Sequence, residues 1–171
     1  MTHEHLRRSY KPKQVQLLFV GESPPASGRF FYAGDSGLYR AMLQVFECVD
    51  PGISNETFLE AFQASGCYLV DLCPTPVDCL IPTRRRTARA ANEESLARTI
   101  KRLRPRVIVI TLRSIEGNVA KAIAQANWKG PTIHLPYPGR WTHLRGQFVD
   151  GLSPVIAELF PRGVISAQRL K

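Results

Sequence analysis

Residues 15–24 read VQLLFVGESP, and this stretch decides the fold because an apolar run stops abruptly at a glycine, an acid and a proline. Runs in which nearly every residue is apolar are typical of strands that are covered on both faces in a parallel sheet. Similar runs cover residues 68–70 and 107–112, and we predict a further strand at residues 131–135. The sequence therefore predicts a four-stranded, mainly parallel central sheet.

Helical patterns fill the intervals between these strands. Strands that alternate with helices imply right-handed crossovers and a three-layer α/β/α sandwich. In an open parallel sheet, ligands bind beyond the carboxyl ends of the strands, so chemistry is expected in the loops after Val20, Val70 and Leu135. We expect the last helix to carry Pro154 in its first turn, where proline is tolerated. Apolar residues recur at helical spacing in residues 38–45, 58–62, 96–103, 115–123 and 152–159.

Length and charge limit the number of domains and the class of partner. The chain has 171 residues, of which 44% are apolar, enough for one core and too few for two ordinary domains. We predict a basic flexible arm over residues 1–13, a single domain over residues 14–171, and a monomer. The formal net charge of +9 favours a polyanion such as nucleic acid. Acidic proteins and anionic membranes fit this charge as well.

The chain carries no segment that suits a membrane or a secretory pathway. No stretch approaches the roughly 20 apolar residues that a membrane-spanning helix needs, and the polar start MTHEH lacks the apolar core of a signal peptide. We therefore expect a soluble, cytoplasmic protein. Four cysteines without a C-x-x-C pair favour free thiols in a reducing compartment over a metal site.

The loop after the first strand is rich in turn-forming residues and reads GESPPASGRFFYAGDSGLY over residues 21–39. Its glycines and prolines indicate a tightly turning backbone, of the kind that presents amides to an anion. A strand followed by G-E-x-P, an aromatic pair and G-D-x-G at the start of a helix resembles the first motif of the uracil-DNA glycosylases. The thermophile-type families with GEAPG or GLAPA loops are the most similar.

Two later segments keep the order and approximate spacing of that family. YLVDLCP (residues 68–74) resembles the strand that in the family ends in a base-reading Asn, and LPYPGRWTHLRG (residues 135–146) resembles the second motif, usually HPSP followed by an Arg-Gly pair. The resemblance spans roughly residues 15–160, and three motifs in order are more specific than any one alone. It implies a metal-free DNA base-excision glycosylase that hydrolyses the N-glycosidic bond of a damaged or deaminated base.

Such an enzyme must take the base out of the duplex, stack it on an aromatic face, read its edge and stabilise charge as the C–N bond breaks. Phe31 or Tyr32 is the candidate stacking platform, with core packing as the equal alternative. Asp71 is the candidate base reader, and Ser23 is a further base-binding candidate.

A carboxylate near the sugar can orient water and stabilise an oxocarbenium-like transition state, and Glu22 and Asp35 are the two candidates. The type-b glycosylases carry a G-D-x-S-G segment that is similar to GDSG (residues 34–37), which is one residue shorter, and this favours Asp35. The alternatives are that Asp35 only caps the helix that begins at Ser36 and that Glu22 only bonds loop amides.

Asp71 departs from the family pattern. An Asn offers one donor and one acceptor, which match O4 and N3–H of uracil, whereas an ionised Asp only accepts. Asp71 would repel O4 of uracil, would accept from an exocyclic amine of cytosine or adenine, and would read uracil only when protonated. Its alternative role is to cap the Pro-rich turn that follows. The excised base therefore stays open between uracil, hypoxanthine, cytosine derivatives and other lesions.

The second motif departs too, since Leu135 replaces the histidine that stabilises the oxygen of the departing base. His134 is one residue away and would face the other side of a strand unless a bulge intervenes. Loss of such a donor typically costs on the order of 100 to 1000-fold in rate. Candidate replacements are Arg140, His143 and Arg145, although each also suits a phosphate contact.

Some thermophile-type relatives bind an iron–sulfur cluster through four cysteines that include a closely spaced pair near the amino terminus. That pair is missing from this sequence, so we expect no cluster and no other cofactor or metal.

Two segments have the composition of a DNA-binding surface. Trp141 lies between Arg140 and Arg145, and the family inserts an apolar wedge into the duplex at this place. A Trp buried under a loop is the alternative. Arg84, Arg85 and Arg86 form a basic run that contacts phosphates or is simply a solvated loop. Two other functions remain open, a non-catalytic nucleic-acid-binding module on the same fold and a mononucleotide-binding domain of flavodoxin type.

Overall fold

The computed structural model describes residues 3–139 and 141–160. Its centre is one four-stranded sheet in which all neighbouring strands are parallel, in the order β2-β1-β3-β4. The strands are β1 (Leu17–Gly21), β2 (Cys67–Asp71), β3 (Val107–Ile110) and β4 (Thr132–His134). This confirms the predicted four-stranded parallel sheet, although β3 ends at Ile110 and β4 is a short edge strand.

The helices cover this sheet. They are α1 (His3–Ser9), α2 (Gly37–Val49), α3 (Phe58–Ala64), α4 (Pro82–Ala91), α5 (Glu93–Leu103), α6 (Glu116–Ala126) and α7 (Thr142–Leu159). Short 3-10 turns cover Phe31–Ala33 and Arg113–Ile115. Helix α2 lies against α7 and α5 lies against α6, so two helical layers enclose the sheet as the predicted three-layer α/β/α sandwich requires. Among the described residues, no helix is long and apolar enough to cross a membrane.

The core explains why the apolar runs became strands. Every residue of β1 and β3 is buried, as expected for strands with helices on both faces. On one face, Phe19 contacts Phe62, which belongs to a cluster of aromatic rings spread over α2, α3 and the first strand-end loop. Helix α2 begins where Ser36 accepts a hydrogen bond from the backbone N–H of Tyr39 at 3.1 Å.

One helix was not expected from the sequence, and another begins earlier than expected. Residues within the predicted arm form helix α1, whose Arg7 and His3 contact the rest of the chain; the division into arm and domain stays a prediction. Pro154 lies inside α7, which begins at Thr142, rather than in a first turn. The reason is burial, because Phe148, Leu152 and Ile156 are fully buried around the proline and outweigh its lost backbone hydrogen bond.

The strand register brings the loops of interest together. Gly21 at the end of β1 is paired with Asp71 at the end of β2. The chain leaves both strands at the same edge, where the backbone N–H of Cys73 donates to the carbonyl of Glu22 at 2.7 Å. Sequence positions separated by some fifty residues are thereby neighbours at the carboxyl edge of the sheet.

Candidate active site

A cavity of about 230 Å³ opens at the carboxyl edge of the sheet. A cavity of roughly 150 Å³ admits a benzene ring, so this one has room for a single nucleobase ring. Loops that follow all four strands contribute to its wall, as expected for an open parallel sheet. Its main lining residues are Glu22, Ser23, Phe30, Phe31, Leu69, Asp71, Asp78, Arg85, Thr111, Leu112 and Tyr137.

Phe31 lines this cavity and is also part of the core. Its ring meets Phe62 at 5.2 Å and Tyr32 at 5.0 Å between centroids, which is the core packing weighed from the sequence, and its role as a stacking platform stays a prediction. Phe30, which was not a candidate from the sequence, lines the cavity as well. The ring of His3 is stacked on it at 4.3 Å and 7° and fixes its orientation.

Tyr32 is not a lining residue, and its role as a stacking platform is therefore not supported. Its hydroxyl accepts from the N–H of Leu69 at 2.7 Å and donates to the carbonyl of the same residue at 3.0 Å. Tyr10 is stacked on its other side at 5.7 Å. Tyr32 thus ties the first loop to β2, and burial raises the pKa of its hydroxyl well above the usual value.

Glu22 is the acidic group that the first loop places in the cavity. It is 9% exposed and accepts from Arg85 Nε at 2.7 Å and from Arg89 Nε at 2.6 Å, both on Oε1, while Arg85 Nη2 bonds Oε2. Burial alone would raise the pKa of Glu22, but the hydrogen bonds and charges of the two arginines outweigh it and hold the pKa below its usual value. Glu22 is therefore ionised at neutral pH.

Asp35 is not a lining residue of the cavity, and the preference for it over Glu22 as the catalytic carboxylate stays a prediction. Its side chain is exposed and its Oδ1 accepts from the backbone N–H of Phe30 at 2.7 Å. Nor does Asp35 cap α2, because Ser36 does. The carboxylate turns back into its own loop because that loop needs an acceptor for the Phe30 amide. Asp35 thus helps to place an aromatic ring of the cavity wall.

Asp71 ends β2 with its carboxyl group in the cavity wall, and its side chain is 9% exposed. Burial raises the pKa of Asp71 to about 6, although the Arg7 guanidinium, 3.8 Å away on α1, acts in the opposite direction. A Cβ atom on residue 21 would lie 2.9 Å from Asp71 Oδ1, so Gly21 is the residue that leaves room for this carboxyl group. The contact of Arg7 with Asp71 could not be predicted from the sequence, because Arg7 lies within the predicted flexible arm.

Side chains also tie the first and second loops to each other. Asp78 accepts from the backbone N–H of Ala26 at 3.0 Å, and Ser23 Oγ accepts from the backbone N–H of Val77 at 3.2 Å. Ser23 lines the cavity as predicted for a base-binding candidate, yet its hydroxyl oxygen already has this structural partner. Asp78 was not singled out from the sequence, and nothing in its local pattern distinguishes it.

The second motif contributes Tyr137 to the cavity, and its other described residues are not in the lining. Leu135 is 4% exposed and belongs to the core. His134 Nδ1 lies 3.2 Å from Glu116 Oε1, away from the cavity lining, as its position on the other side of the strand led us to expect. Tyr137 is 41% exposed at the rim.

The residues that follow Tyr137 in the second motif differ in their contacts. Arg145 donates from Nε to Gln44 Oε1 at 3.0 Å and from Nη2 to the carbonyl of Arg40 at 3.2 Å, so it joins α7 to α2 and does not line the cavity. His143 is exposed, and its ring lies 6.4 Å from that of Trp141. The candidate Arg140 lies outside the described residues.

Trp141 is 65% exposed, which excludes the alternative of a Trp buried under a loop. Within residues 3–139 and 141–160, three large apolar side chains are strongly exposed. They lie on the loops after β2 and β4, close in sequence to lining residues of the cavity. The three are Ile81, Tyr137 and Trp141.

The basic run lies on α4, and its arginine side chains point either inward to Glu22 or outward to solvent. Arg85 and Arg89 point inward to Glu22, and Arg89 also donates to the carbonyl and hydroxyl of Ser114 at 3.2 and 3.1 Å. Arg84 and Arg86 are exposed. Among the described residues, α4 has no buried member, so these inward arginines are its main polar link to the sheet edge.

Cysteines and acidic groups do not converge elsewhere in the described part of the chain. Cys67 and Cys73 are buried, whereas Cys48 and Cys79 are exposed, and all four are free thiols. No three His, Cys, Asp or Glu side chains among those described come together as a metal site would require.

The fold and the site define an α/β protein with a nucleobase-sized, carboxylate-bearing cavity at the carboxyl edge of a parallel sheet. The chain matches the family described as the uracil DNA glycosylase superfamily over residues 8–158, and it belongs to that superfamily. The family relationship points to DNA glycosylase activity in general and to DNA as the partner. Comparison with curated proteins gives no match.

Proposed function

We propose that the protein is a DNA glycosylase that hydrolyses the N-glycosidic bond of a damaged or deaminated base drawn out of the DNA. One observation carries this proposal. The cavity has room for a nucleobase ring and places an ionised carboxylate, Glu22, and a second carboxyl group, Asp71, in a wall that also contains Phe30 and Phe31. A flipped base needs this combination of an apolar slot, an edge reader and a group that directs water.

Glu22 is the proposed catalytic carboxylate. A carboxylate has about four lone-pair sites, and the hydrogen bonds from Arg85 and Arg89 leave one on Oε2 for a water molecule. A water oriented by Glu22 would attack C1′ as the C1′–N bond breaks. The bond electrons would remain on the base, and the water proton would pass to Glu22 and on to solvent. The negative charge of Glu22 would also stabilise the oxocarbenium-like sugar.

The surroundings of the cavity suit DNA. The net charge of +9 and the exposed Arg84 and Arg86 on α4 favour a phosphate backbone. The exposed Trp141 has the size and apolar character of a wedge that enters the stack where the base has left. Ile81 and Tyr137 add exposed apolar surface that would pack against bases when DNA is bound.

The proposal is tested by single-turnover release of base from oligonucleotides that contain uracil, hypoxanthine, xanthine or 5-fluorouracil in single- and double-stranded form. We expect Glu22→Gln to lower the rate on the cleaved lesion by about 100-fold or more, because acid–base groups contribute this much. Asp35→Asn is the matched control: it removes a carboxylate from the same loop outside the cavity, and its rate should stay within about tenfold of wild type.

Two outcomes would contradict the proposal. Tight, salt-sensitive DNA binding without product from any lesion would favour a non-catalytic binding module on this fold. A larger loss for Asp35→Asn than for Glu22→Gln, at equal thermal stability, would return the catalytic role to Asp35.

A further inference from the structure

We propose that Arg85 is a catalytic residue of this reaction, whose guanidinium stabilises the negative charge on the departing base. The inference rests on the proposed glycosylase function. It names the group that replaces the missing histidine of the second motif.

The reaction creates a demand for positive charge inside the cavity. When water attacks C1′ and the C1′–N bond breaks, the electron pair stays on the base, which leaves as an anion until it takes a proton from water. A fixed donor or cation aimed at that charge is worth on the order of 100 to 1000-fold in rate. Among its described residues the second motif brings only Tyr137 to the cavity, and that phenol is an uncharged donor. Leu135 is apolar and buried, His143 is exposed outside the lining, Arg145 is bonded to α2, and the neighbouring His134 is paired with Glu116.

Arg85 lies where it can supply this positive charge, in the wall of the cavity. Among the described residues that line the cavity it is the only one with a cationic side chain, and that side chain is 32% exposed. An arginine has five N–H donors. Glu22 takes Nε–H and one Nη2–H of Arg85, so donors on the outer side of the guanidinium are left for a ligand.

The charges around Glu22 favour the same conclusion. A carboxylate paired with a single arginine would neutralise the arginine's positive charge. No net charge would then be left to stabilise an anionic base. Here Arg89, whose side chain is 11% exposed, also bonds Glu22 and is held from behind by Ser114. One carboxylate and two guanidiniums leave a net single positive charge, and Arg85 is the member of the trio that lines the cavity. Glu22 can thus stay ionised for the water while Arg85 still presents a positive charge to the base, in a wall that also contains the carboxyl groups of Asp71 and Asp78.

A phosphate contact is the competing role for Arg85, and the two roles respond differently to the leaving group. A group that stabilises the departing anion matters less when that anion is stable by itself. Fluorine at the 5-position makes uracil a more acidic and better leaving group, and xanthine is more acidic than hypoxanthine. A phosphate contact acts equally on both members of each pair.

The experiment measures single-turnover base release at saturating protein for wild type, Arg85→Gln, Arg85→Lys and Arg84→Gln. The substrates are uracil paired with 5-fluorouracil and hypoxanthine paired with xanthine. For the cleaved pair, we expect Arg85→Gln to lower the rate on the poorer leaving group by about 100-fold or more and on the better one clearly less. Arg85→Lys keeps the charge and should restore part of the loss. Arg84→Gln, an exposed neighbour on α4, should leave the ratio unchanged.

Equal losses on both members of a pair, or no loss in Arg85→Gln at saturating protein, would overturn the inference and make Arg85 a structural or phosphate-binding residue. Thermal unfolding of each variant separates a folding defect from either case. If Arg85→Gln is unfolded, Arg85→Met takes its place in the same comparison, and equal losses on both members of a pair would again overturn the inference. Wild-type protein that releases none of the bases would instead refute the proposed function, and this inference would fall with it.

Discussion

At the scale of single residues, Asp71 is a carboxyl group of the cavity wall whose protonation changes within an ordinary assay range. Burial raises the pKa of Asp71 to about 6, so it is protonated below that pH and ionised above it. A protonated carboxyl group offers one donor and one acceptor, as an Asn does, whereas the ionised form only accepts. We therefore predict that uracil release falls as the pH rises through about 6.

The measurement is the pH profile of single-turnover uracil release between pH 5 and 8. Glu22 does not interfere, because its pKa lies below the usual value and it stays ionised over this range. Asp71→Asn, which cannot ionise, should show no fall there. A wild-type profile that is flat, or that rises through pH 6, would contradict the assignment of Asp71 as the reader of a uracil-like edge.

Gly21 is predicted to be essential for the position of that carboxyl group. A Cβ atom at residue 21 would lie 2.9 Å from Asp71 Oδ1, so Gly21→Ala must displace the carboxyl group. We expect at least tenfold slower base release and about 1 to 3 kcal/mol lower free energy of unfolding. Gly117→Ala is the control, since a Cβ there meets nothing within 4 Å and α6 should gain up to about 1 kcal/mol in stability. Denaturant unfolding and single-turnover kinetics check both variants.

Glu22, Ser23 and Asp71 could be predicted because each lies at or next to the end of a predicted strand, and Phe31 because it belongs to the aromatic pair of the first motif. The sequence did not distinguish Glu22 from Asp35 by its contacts. The partners that distinguish Glu22, Arg85 and Arg89, lie 63 and 67 positions further along the chain, and no local pattern links them. For the same reason the cavity-lining role of Arg85 emerges only from the folded structure.

At the scale of elements, α1 acts on the candidate base reader. Its Arg7 lies 3.8 Å from Asp71 and lowers the pKa of that carboxyl group against the effect of burial. We predict that Arg7→Gln raises the pKa of Asp71 above about 6 and shifts the pH profile of base release upward. Arg8→Gln is the control, because Arg8 is exposed on the same helix and pairs only with Glu4 among the described residues. Carboxyl ¹³C chemical shifts of Asp71 would report the pKa directly, and an unmoved midpoint in Arg7→Gln would exclude the effect.

Helix α1 was not predicted because it has no buried residue and therefore no apolar period to detect. Ion pairs of Glu4 with Arg7 and Arg8 support it locally, and the contacts of His3 and Arg7 with distant residues hold it in place. The start of α7 at Thr142 was not predicted because Pro154 suggested that the helix begins only shortly before the proline. Proline is a strong helix-ending signal, and only tertiary burial on both sides of Pro154 overrides it.

Helix α4 is held to the rest of the protein by ion pairs, unlike the helices that have a buried apolar face. None of its described residues is buried, and Arg85 and Arg89 connect it to Glu22. We predict that Arg89→Met lowers the free energy of unfolding by about 1 to 3 kcal/mol, the cost of leaving a buried charge with one partner fewer. Arg86→Met, at an exposed position of the same helix, should change it by less than about 0.5 kcal/mol. Equal effects in urea unfolding would show that the buried pair is not what holds α4.

At the scale of the whole molecule, the four-stranded parallel sheet could be predicted because β1 and β3 are buried throughout and read as unbroken apolar runs. The strand order β2-β1-β3-β4 could not, since it depends on which crossovers the chain takes. Yet that order decides the site: β1 lies between β2 and β3, so the loops that carry Glu22, Asp71 and Thr111 are adjacent.

The distribution of charge over the molecule leads to a prediction about DNA affinity. Arg84 and Arg86 are exposed near the cavity, whereas Arg106 is exposed at the start of β3, on the opposite edge of the sheet. We predict that Arg84→Gln with Arg86→Gln makes the plot of log affinity against log salt shallower by up to about 2, because each phosphate contact contributes about 0.9. Arg106→Gln should leave the slope unchanged. A salt titration of binding to an uncleavable duplex makes the comparison, and equal slopes for all variants would place the DNA elsewhere.

The exposure of Trp141 also equips the protein with an intrinsic optical reporter. The chain contains two tryptophans, and the other, Trp128, is half-buried with its indole N–H donating to the carbonyl of Pro105 at 2.9 Å. Replacing Trp128 by Phe would leave emission from a single, water-facing indole beside the cavity. Stacking of that indole between bases would quench its fluorescence, so DNA engagement could be followed in real time, on unlabelled material, and separately from the chemical step.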